Sequence, residues 1–430
     1  MKKILIIGGG LSGLSSAVFL SKAGFNVELI EASPKMGGRT YSLNYNGVKV
    51  DNGQHILMEC YSNTLEYLDI IGARKHFYFQ ESLSINYVND KQEVLKLKTN
   101  SSFYPLNYII GLMSFQFLNI KNRFSILKFL LKIKFIKTNT FADKSVYEFL
   151  KLNDQSDEVI FNFWESIIVS TMNTSSRIAS SKLFIDMMKI IFFGGRRNAN
   201  IIIPNTDLST ALIEPAISYL KERGAKLSTS ERINIIRFEN EKALEIETNK
   251  RKISDFDYVI SSIPEYSLRK INFVGLSEKI ILPELQYAPI VCVHVWLNEN
   301  PLKEKMYNLI ESQFDWVFNH GTYLSLIKSN AENLSNLNKN LVIKIVLSEL
   351  KKYFTILSKT EIKDYIVLKK RHATFIPNLN SLAERKSSSA TIGNFNIIGD
   401  WSNTGLPATI EGAIKSASDI TQKIILCKFN

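Results

Sequence analysis

The hydrophobic pattern changes period twice within the first thirty-one residues. Ile4-Leu5-Ile6-Ile7 is a continuous apolar, mostly β-branched run, as expected for a parallel strand buried on both faces. Beyond Gly8-Gly9-Gly10-Leu11-Ser12-Gly13 the pattern becomes helical, with Leu14, Ala17 and Val18 on one face, and stops near Gly24. Val27-Glu28-Leu29-Ile30 then returns to strand character and ends at Glu31. A β-α-β unit is predicted. Residues 208–220 give a second helical pattern, closed by Arg223-Gly224, and strand-like runs follow at 233–238 and 244–248. Tyr258-Val259-Ile260 leads into Ser261-Ser262-Ile263-Pro264. Near the end, Phe395-Asn396-Ile397-Ile398 reads as a buried strand entering Gly399-Asp400-Trp401. A last helix is predicted soon after, with Pro407 in its first turn, where a missing N–H costs nothing.

Composition narrows the class. At 430 residues, 45% hydrophobic and 22% charged, the chain has the make-up of a globular protein of two or three domains. Cys60, Cys292 and Cys427 are far apart and form no CxxC pair, so neither a disulfide framework nor a zinc site is expected. The five histidines are equally scattered, and no metal is expected. The net charge of +12 is spread through a chain rich in Lys, Ile and Asn. No nucleic-acid module is recognisable, so no nucleic-acid partner is expected. Met1-Lys2-Lys3 followed by an apolar run imitates a secretory leader. Gly8, Gly9 and Gly10 interrupt it, however, and a strand, turn and helix explain it better, so a cytoplasmic location is expected.

The glycine turn carries the first chemistry. Gly8 permits the tight turn, Gly10 lets a pyrophosphate approach the backbone, and Gly13 lets helix and strand pack closely. Leu11 and Ser12 begin the helix whose N-terminal amides face the phosphates. Glu31, eighteen residues beyond Gly13, is placed with Ala32 to accept from ribose hydroxyls. This fingerprint alone serves NAD and FAD equally.

Pro34-Lys35-Met36-Gly37-Gly38-Arg39-Thr40 separates the two. It resembles the GG-R motif of the glutathione-reductase-like FAD enzymes, which include amine oxidases and phytoene desaturases. The resemblance implies FAD, with Gly38 bringing backbone to the pyrophosphate and Arg39 adding a charged clamp. It also implies an α/β fold in which a Rossmann-like FAD-binding domain of glutathione-reductase type is assembled from segments 1–84, 201–265 and 389–430. Segments 85–200 and 266–388 would form an α+β substrate domain. Backbone near Ile233 would meet the adenine, and Gly399 and Asp400 the ribityl chain. Thr409 and Ile410, at the last helix's start, would meet the flavin edge.

Val50-Asp51-Asn52-Gly53-Gln54-His55-Ile56-Leu57 carries an unusual D-x-G-Q-H run. Together with Gly399-Asp400-Trp401 and Gly405-Leu406-Pro407-Ala408-Thr409-Ile410-Glu411-Gly412-Ala413, it resembles the squalene-associated FAD-dependent desaturases. Members of that group act as hydroxysqualene dehydroxylases in bacterial squalene and hopanoid synthesis. Trp164, Asn173-Thr174, Pro204 and Asp207-Leu208-Ser209 agree with it, whereas Ser166-Ile167 and Ser416-Ala417 depart from it. The resemblance implies an apolar isoprenoid alcohol as substrate, reduced by hydride from FAD after its hydroxyl is protonated. His55 as proton donor and Gln54 as the group orienting the oxygen are the catalytic candidates, with Gly53 beside the flavin. A purely flavin-binding or turn-supporting role stays open for both. Asp51 and Glu411 rank below them, as groups that fix the backbone.

Two rivals belong to the same superfamily. A carotenoid or phytoene desaturase would remove hydride from its substrate, and a flavin amine oxidase would oxidise an amine. Amine oxidases of this fold generally carry a lysine near the flavin, and the comparable strand, Ala288-Pro289-Ile290-Val291-Cys292-Val293-His294-Val295-Trp296, has none. A non-catalytic flavoprotein is the remaining alternative. The single fingerprint leaves NAD(P)H or a reductase as outside electron donor. Residues 94–142 hold eight Lys or Arg and no carboxylate among many Ile, Leu and Phe. Peripheral contact with the inner face of a membrane and ordinary substrate-domain helices explain that stretch equally.

Overall fold

The computed structural model describes residues 2–100 and 102–429; Met1, Ser101 and Asn430 lie outside the described residues. The predicted β-α-β unit comprises β1 (Lys3–Ile7), α1 (Leu11–Lys22) and β2 (Asn26–Ile30). β1 pairs in parallel with β2 on one side and with Tyr258–Ser261 on the other, which explains its unbroken apolar run. The complete six-stranded sheet runs Lys226–Ser228, β2, β1, Tyr258–Ser261, Phe395–Ile397, Thr391–Ile392. Three distant stretches of chain therefore meet in one sheet. Ile7 lies level with Ile30 and Ser261, so three strands end together beneath the glycine turn, the usual ligand position in an open parallel sheet.

α1 differs from its predicted single buried face. Every residue from Leu11 to Ser21 is buried, because the final helix, Ile410–Phe429, covers the side away from the sheet. Leu14, Ala17 and Val18 share one core with Ile414, Ala417 and Ile420. The predicted helix at 208–220 divides into a π-turn, Ser209–Ile213, and an α-helix, Glu214–Glu222. Pro215 has no N–H to return to the carbonyl four residues earlier, which favours the wider turn before it. The last helix begins at Ile410, leaving Pro407 outside rather than in the first turn.

The strands Ile233–Glu239 and Lys242–Thr248 form an antiparallel hairpin within a four-stranded sheet, flanked by Lys252–Ile253 and Asn272–Val274. A separate seven-stranded sheet is built around the long pair Tyr287–Leu297 and Ile362–Phe375. Helices from the 106–193 stretch pack on one of its faces around Phe129, Phe149, Trp164 and Phe184. Helix Lys339–Tyr353 closes the other through Val342, Val346 and Leu350. The short strands Leu57–Met58, Ile201–Pro204 and Phe77–Phe79 tie the two halves together. Among the described residues no helix is long and apolar enough to cross a membrane.

Candidate active site

One cavity of about 1050 Å³ runs from the end of β1 to the space between the seven-stranded sheet and its helices. That is at the upper end of the ~300–1,000 Å³ usual for ligand pockets, leaving room for more than one small ligand. Gly8, Gly10, Leu11, Ser12, Glu31 and Ala32 line its first part, with Gly38, Arg39 and Ile233. Gly53, Gln54, His55, Gly399 and Asp400 line its middle, joined by Thr409 and Ile410. Of the expected residues, Gly13 and the lower-ranked Asp51 and Glu411 are not on the wall. A Cβ on Gly13 would stand 1.9 Å from the Gly8 carbonyl oxygen and 2.6 Å from Ser262 Oγ. Its lack of a side chain permits the close helix–strand contact anticipated for it.

The two glycine turns meet backbone to backbone. Gly10 and Gly37 form a parallel bridge, and the Gly37 amide donates to the Gly9 carbonyl at 2.8 Å. A Cβ on Gly38, whose φ is +60°, would lie 2.9 Å from Gly10 Cα. Side chains here would fill the cradle, and their absence fits a pyrophosphate held by main-chain amides beside a helix N-terminus. Glu31 is already engaged: Oε2 accepts from the Gly9 amide at 2.6 Å and Oε1 from the Ser33 amide at 2.7 Å. The carboxylate thus fixes the turn at a point where Glu31 lines the cavity. Arg39 donates to the Ala373 carbonyl at 3.1 Å and pairs with Asp400 at 2.5 Å. The predicted phosphate clamp and the predicted ribityl acceptor therefore hold each other.

Thr409 caps the last helix: its hydroxyl accepts from the Gly412 amide at 3.0 Å. The amides of Ile410 and Glu411 have no partner within the helix and are available to a flavin edge. The Glu411 carboxylate accepts from the amides of Asn63 and Thr64, at 3.1 and 2.9 Å, and from both side chains. It thereby holds the start of helix Ser62–Ile70. Asp51 is likewise structural. It accepts from the Leu208 amide and from Ser42 Oγ, both at 2.8 Å, and burial pushes its carboxyl up to about 6.

His55 stands 2.8 Å from the Gly53 carbonyl through Nδ1. A carbonyl only accepts, so Nδ1 carries the proton and Nε2 presents a lone pair. Burial, and then the charge of Arg39, lower its pKa. The expected proton donor is thus a neutral imidazole at neutral pH. His294, on strand Tyr287–Leu297, approaches the Asp51 carbonyl with Nε2 at 2.8 Å and Ser325 Oγ with Nδ1 at 2.7 Å. His320 Nε2 reaches the same serine at 2.9 Å.

The far end of the cavity is apolar, walled by Leu83, Leu97, Leu112, Phe163, Ile191 and Ile201 among others. The π-turn Ile160–Trp164 places Phe163 on this wall while Trp164, fully buried, donates to Gln155. A lysine does face the cavity: Lys370, opposite Ile290 across the strand pair. Burial, then Arg39, lower its pKa. Strand 288–296 carries no lysine, but Lys370 on the neighbouring strand lines the cavity, so the missing lysine alone does not separate this site from an amine oxidase. Among the described residues no group of three or more His, Cys, Asp or Glu is placed to hold a metal.

Residues 11–425 match the family model described as flavin containing amine oxidoreductase. The chain is 26% identical to a hydroxysqualene dehydroxylase of Zymomonas mobilis, over 96% of each chain. It is 23% identical to one of Sinorhizobium fredii, over 97% of each. The crystal structure of an oxidoreductase from Methanosarcina mazei superposes with a TM-score of 0.75 at 18% identity, covering 98% of this chain and all of that one. With FAD as its cofactor and oxidoreduction as its chemistry, the chain belongs to the flavin containing amine oxidoreductase family.

Proposed function

We propose that the protein converts hydroxysqualene to squalene by reductive dehydroxylation. The observation that carries this reading is the continuity of one cavity from the glycine cradle, past Asp51–His55, into a compartment walled by aliphatic and aromatic side chains. Such a compartment suits a long hydrocarbon and excludes water from a cationic carbon. The full-length similarity to hydroxysqualene dehydroxylases supports the same assignment.

Bound FAD, once reduced, supplies the hydride. The chain's own residues bind and orient the alcohol and move one proton. In this account His55 Nε2 accepts the substrate hydroxyl hydrogen and Gln54 fixes the oxygen from the other side. The Lys370 ammonium delivers the proton, the C–O bond breaks, and water leaves. Hydride then closes the balance at the carbon. Partial desolvation on the cavity wall, and then the Arg39 charge, lower the pKa of this ammonium, so it gives up its proton more readily than a fully solvated one. The dinucleotide is held by Gly8, Gly10, Leu11, Ser12, Gly38 and Arg39, its ribose by Glu31 and Ala32, its adenine by Ile233. Segments 1–84, 201–265 and 389–430 form the FAD-binding part and 85–200 with 266–388 the substrate part. NAD(P)H or a reductase supplies electrons from outside, in the cytoplasm.

The test is anaerobic. Protein reduced in the absence of oxygen and mixed with hydroxysqualene should yield squalene, one flavin reoxidised per product. Desaturation of phytoene by the oxidised protein, with no squalene formed from hydroxysqualene, would overturn the reading.

A further inference from the structure

Helices Leu106–Ser114 and Ile120–Ile133 form a packed pair beside the apolar end of the cavity. Arg123 ties them by donating to the Met113 and Leu118 carbonyls, both at 2.6 Å. This role explains why Arg123 lies apart from the lysines of the same helix. The inner face of Ile120–Ile133 buries Asn122, Ile126, Phe129 and Ile133. Its outer face is not polar. Ile120, Phe124 and Leu131 are 56%, 57% and 55% exposed, and at 100° per residue they fall within one stripe about 40° wide. Phe135, just past the helix, is 80% exposed. Lys121, Lys128 and Lys132, all exposed, follow on the adjoining arc. On the partner helix Leu106 and Ile110 are each 38% exposed, and Phe103 before it 73%.

A solvated helix normally turns charge outward and apolar residues inward; this one is apolar on both faces. Isolated exposed apolar residues are ordinary, whereas a run of this kind rimmed by one sign of charge marks a docking surface. No carboxylate lies between residues 94 and 142; the nearest one recorded against the pair is Glu158, 3.5 Å from Asn119 at its edge.

We infer that the outer face of this helix pair docks on an anionic lipid surface. The apolar stripe enters the headgroup–acyl boundary and Lys121, Lys128, Lys132 and Lys134 meet lipid phosphates. The same helices wall the cavity from the other side through Tyr108, Leu112 and Leu130. Leu130 lines the cavity and Leu131 is exposed, so the thickness of this one helix separates the proposed bilayer contact from the apolar compartment. The docking itself rests on the surface residues, independently of which isoprenoid is the substrate.

Flotation of the FAD-loaded protein with lipid vesicles tests this. The protein should float with mixed phosphatidylglycerol–phosphatidylcholine vesicles and much less with phosphatidylcholine alone. Phe124→Ser with Leu131→Ser, which removes inserted apolar surface, and separately Lys128→Glu with Lys132→Glu, where one charge near an anionic surface is worth about fivefold, should each lower binding more than tenfold. Leu244→Ser, at an exposed position of the hairpin sheet, should bind as the parent does. Flavin absorbance reports folding, and if the serine pair loses it, the surface lysine pair decides. Turnover of detergent-dispersed hydroxysqualene should be unchanged in every variant, which separates this proposal from the dehydroxylation reading. Absence of flotation, or variants that float like the parent, would overturn it. So would a concentration-dependent dimer, dissolved by the serine pair, that binds no vesicle; a second copy would then be the occupant.

Discussion

His294 joins the two halves of the protein through one hydrogen bond, its Nε2 lying 2.8 Å from the carbonyl oxygen of Asp51. The carbonyl accepts only, so Nε2 carries the hydrogen and the neutral ring must accept at Nδ1 from Ser325. The Ser325 oxygen in turn accepts from His320 Nε2. A buried, directional chain therefore ends on the residue that opens the Asn52–His55 turn. Replacing His294 with Ala leaves the Asp51 carbonyl and the Ser325 hydroxyl without this partner. The expected loss is about 1–3 kcal/mol of stability, measured by urea unfolding, with an altered visible spectrum of the bound flavin. Unchanged stability together with an unchanged spectrum would remove the positioning role.

The same residues set the response to acid. Burial lowers His294 to about 4, and burial followed by the neighbouring His294 lowers His320 to about 3. In the unfolded chain both take up protons near pH 6.5, so their contribution is complete above that pH and declines as pH falls toward 4. Asp51, raised by burial to about 6, acts in the opposite sense: its folded form binds a proton first, favouring the fold as pH drops from 6 toward 3.8. Two histidines outweigh one carboxyl. Stability should therefore fall between pH 7 and pH 4.5, and His294→Gln should flatten that slope. The readout is the urea midpoint at a series of pH values.

Lys370 and His55 separate by their effects on turnover. Lys370→Met removes the proposed acid and should lower kcat by about 10²–10⁴-fold with flavin still bound. His55→Gln keeps a hydrogen-bonding group at that position and should act mainly on KM. The pH profile of kcat should lose its alkaline limb in Lys370→Met alone. Equal effects of both substitutions on kcat and KM would contradict the division of roles.

Gly13→Ala is the most local test of the cradle. The added carbon would meet the Gly8 carbonyl at 1.9 Å, forcing α1 away from β1 and tilting the amides of the turn. The purified variant should carry at least tenfold less flavin, read as the ratio of visible to ultraviolet absorbance. Full flavin content would show that the cradle is not where the pyrophosphate rests.

Local chemistry was legible in the chain, and distant pairing was not. Gly8, Gly10, Gly13 and Glu31 all lie within or at the end of one β-α-β unit, so their spacing along the chain is enough to bring them together. Gly37-Gly38-Arg39 was equally readable, yet the partner of Arg39 lies 361 residues away at Asp400, and no local pattern announces that bond. Lys370 escaped notice for the same reason. Its place on the cavity depends on the register that sets it opposite Ile290, and on its own strand it is one basic residue in a Lys-Lys-Arg run. His294 was visible as a strand histidine, but its contact with Asp51 spans 243 residues. The outer stripe of Ile120, Phe124 and Leu131 stayed hidden because periodicity alone does not say which apolar face meets the core.

The central claim is hydride delivery to the carbon that loses its hydroxyl, and a single turnover in D₂O tests it most directly. The transferable hydrogen of reduced flavin exchanges with solvent, so the account requires squalene bearing one deuterium at that carbon, formed in step with flavin reoxidation. A hydrocarbon without deuterium there, or flavin that stays reduced while hydroxysqualene is consumed, would contradict it.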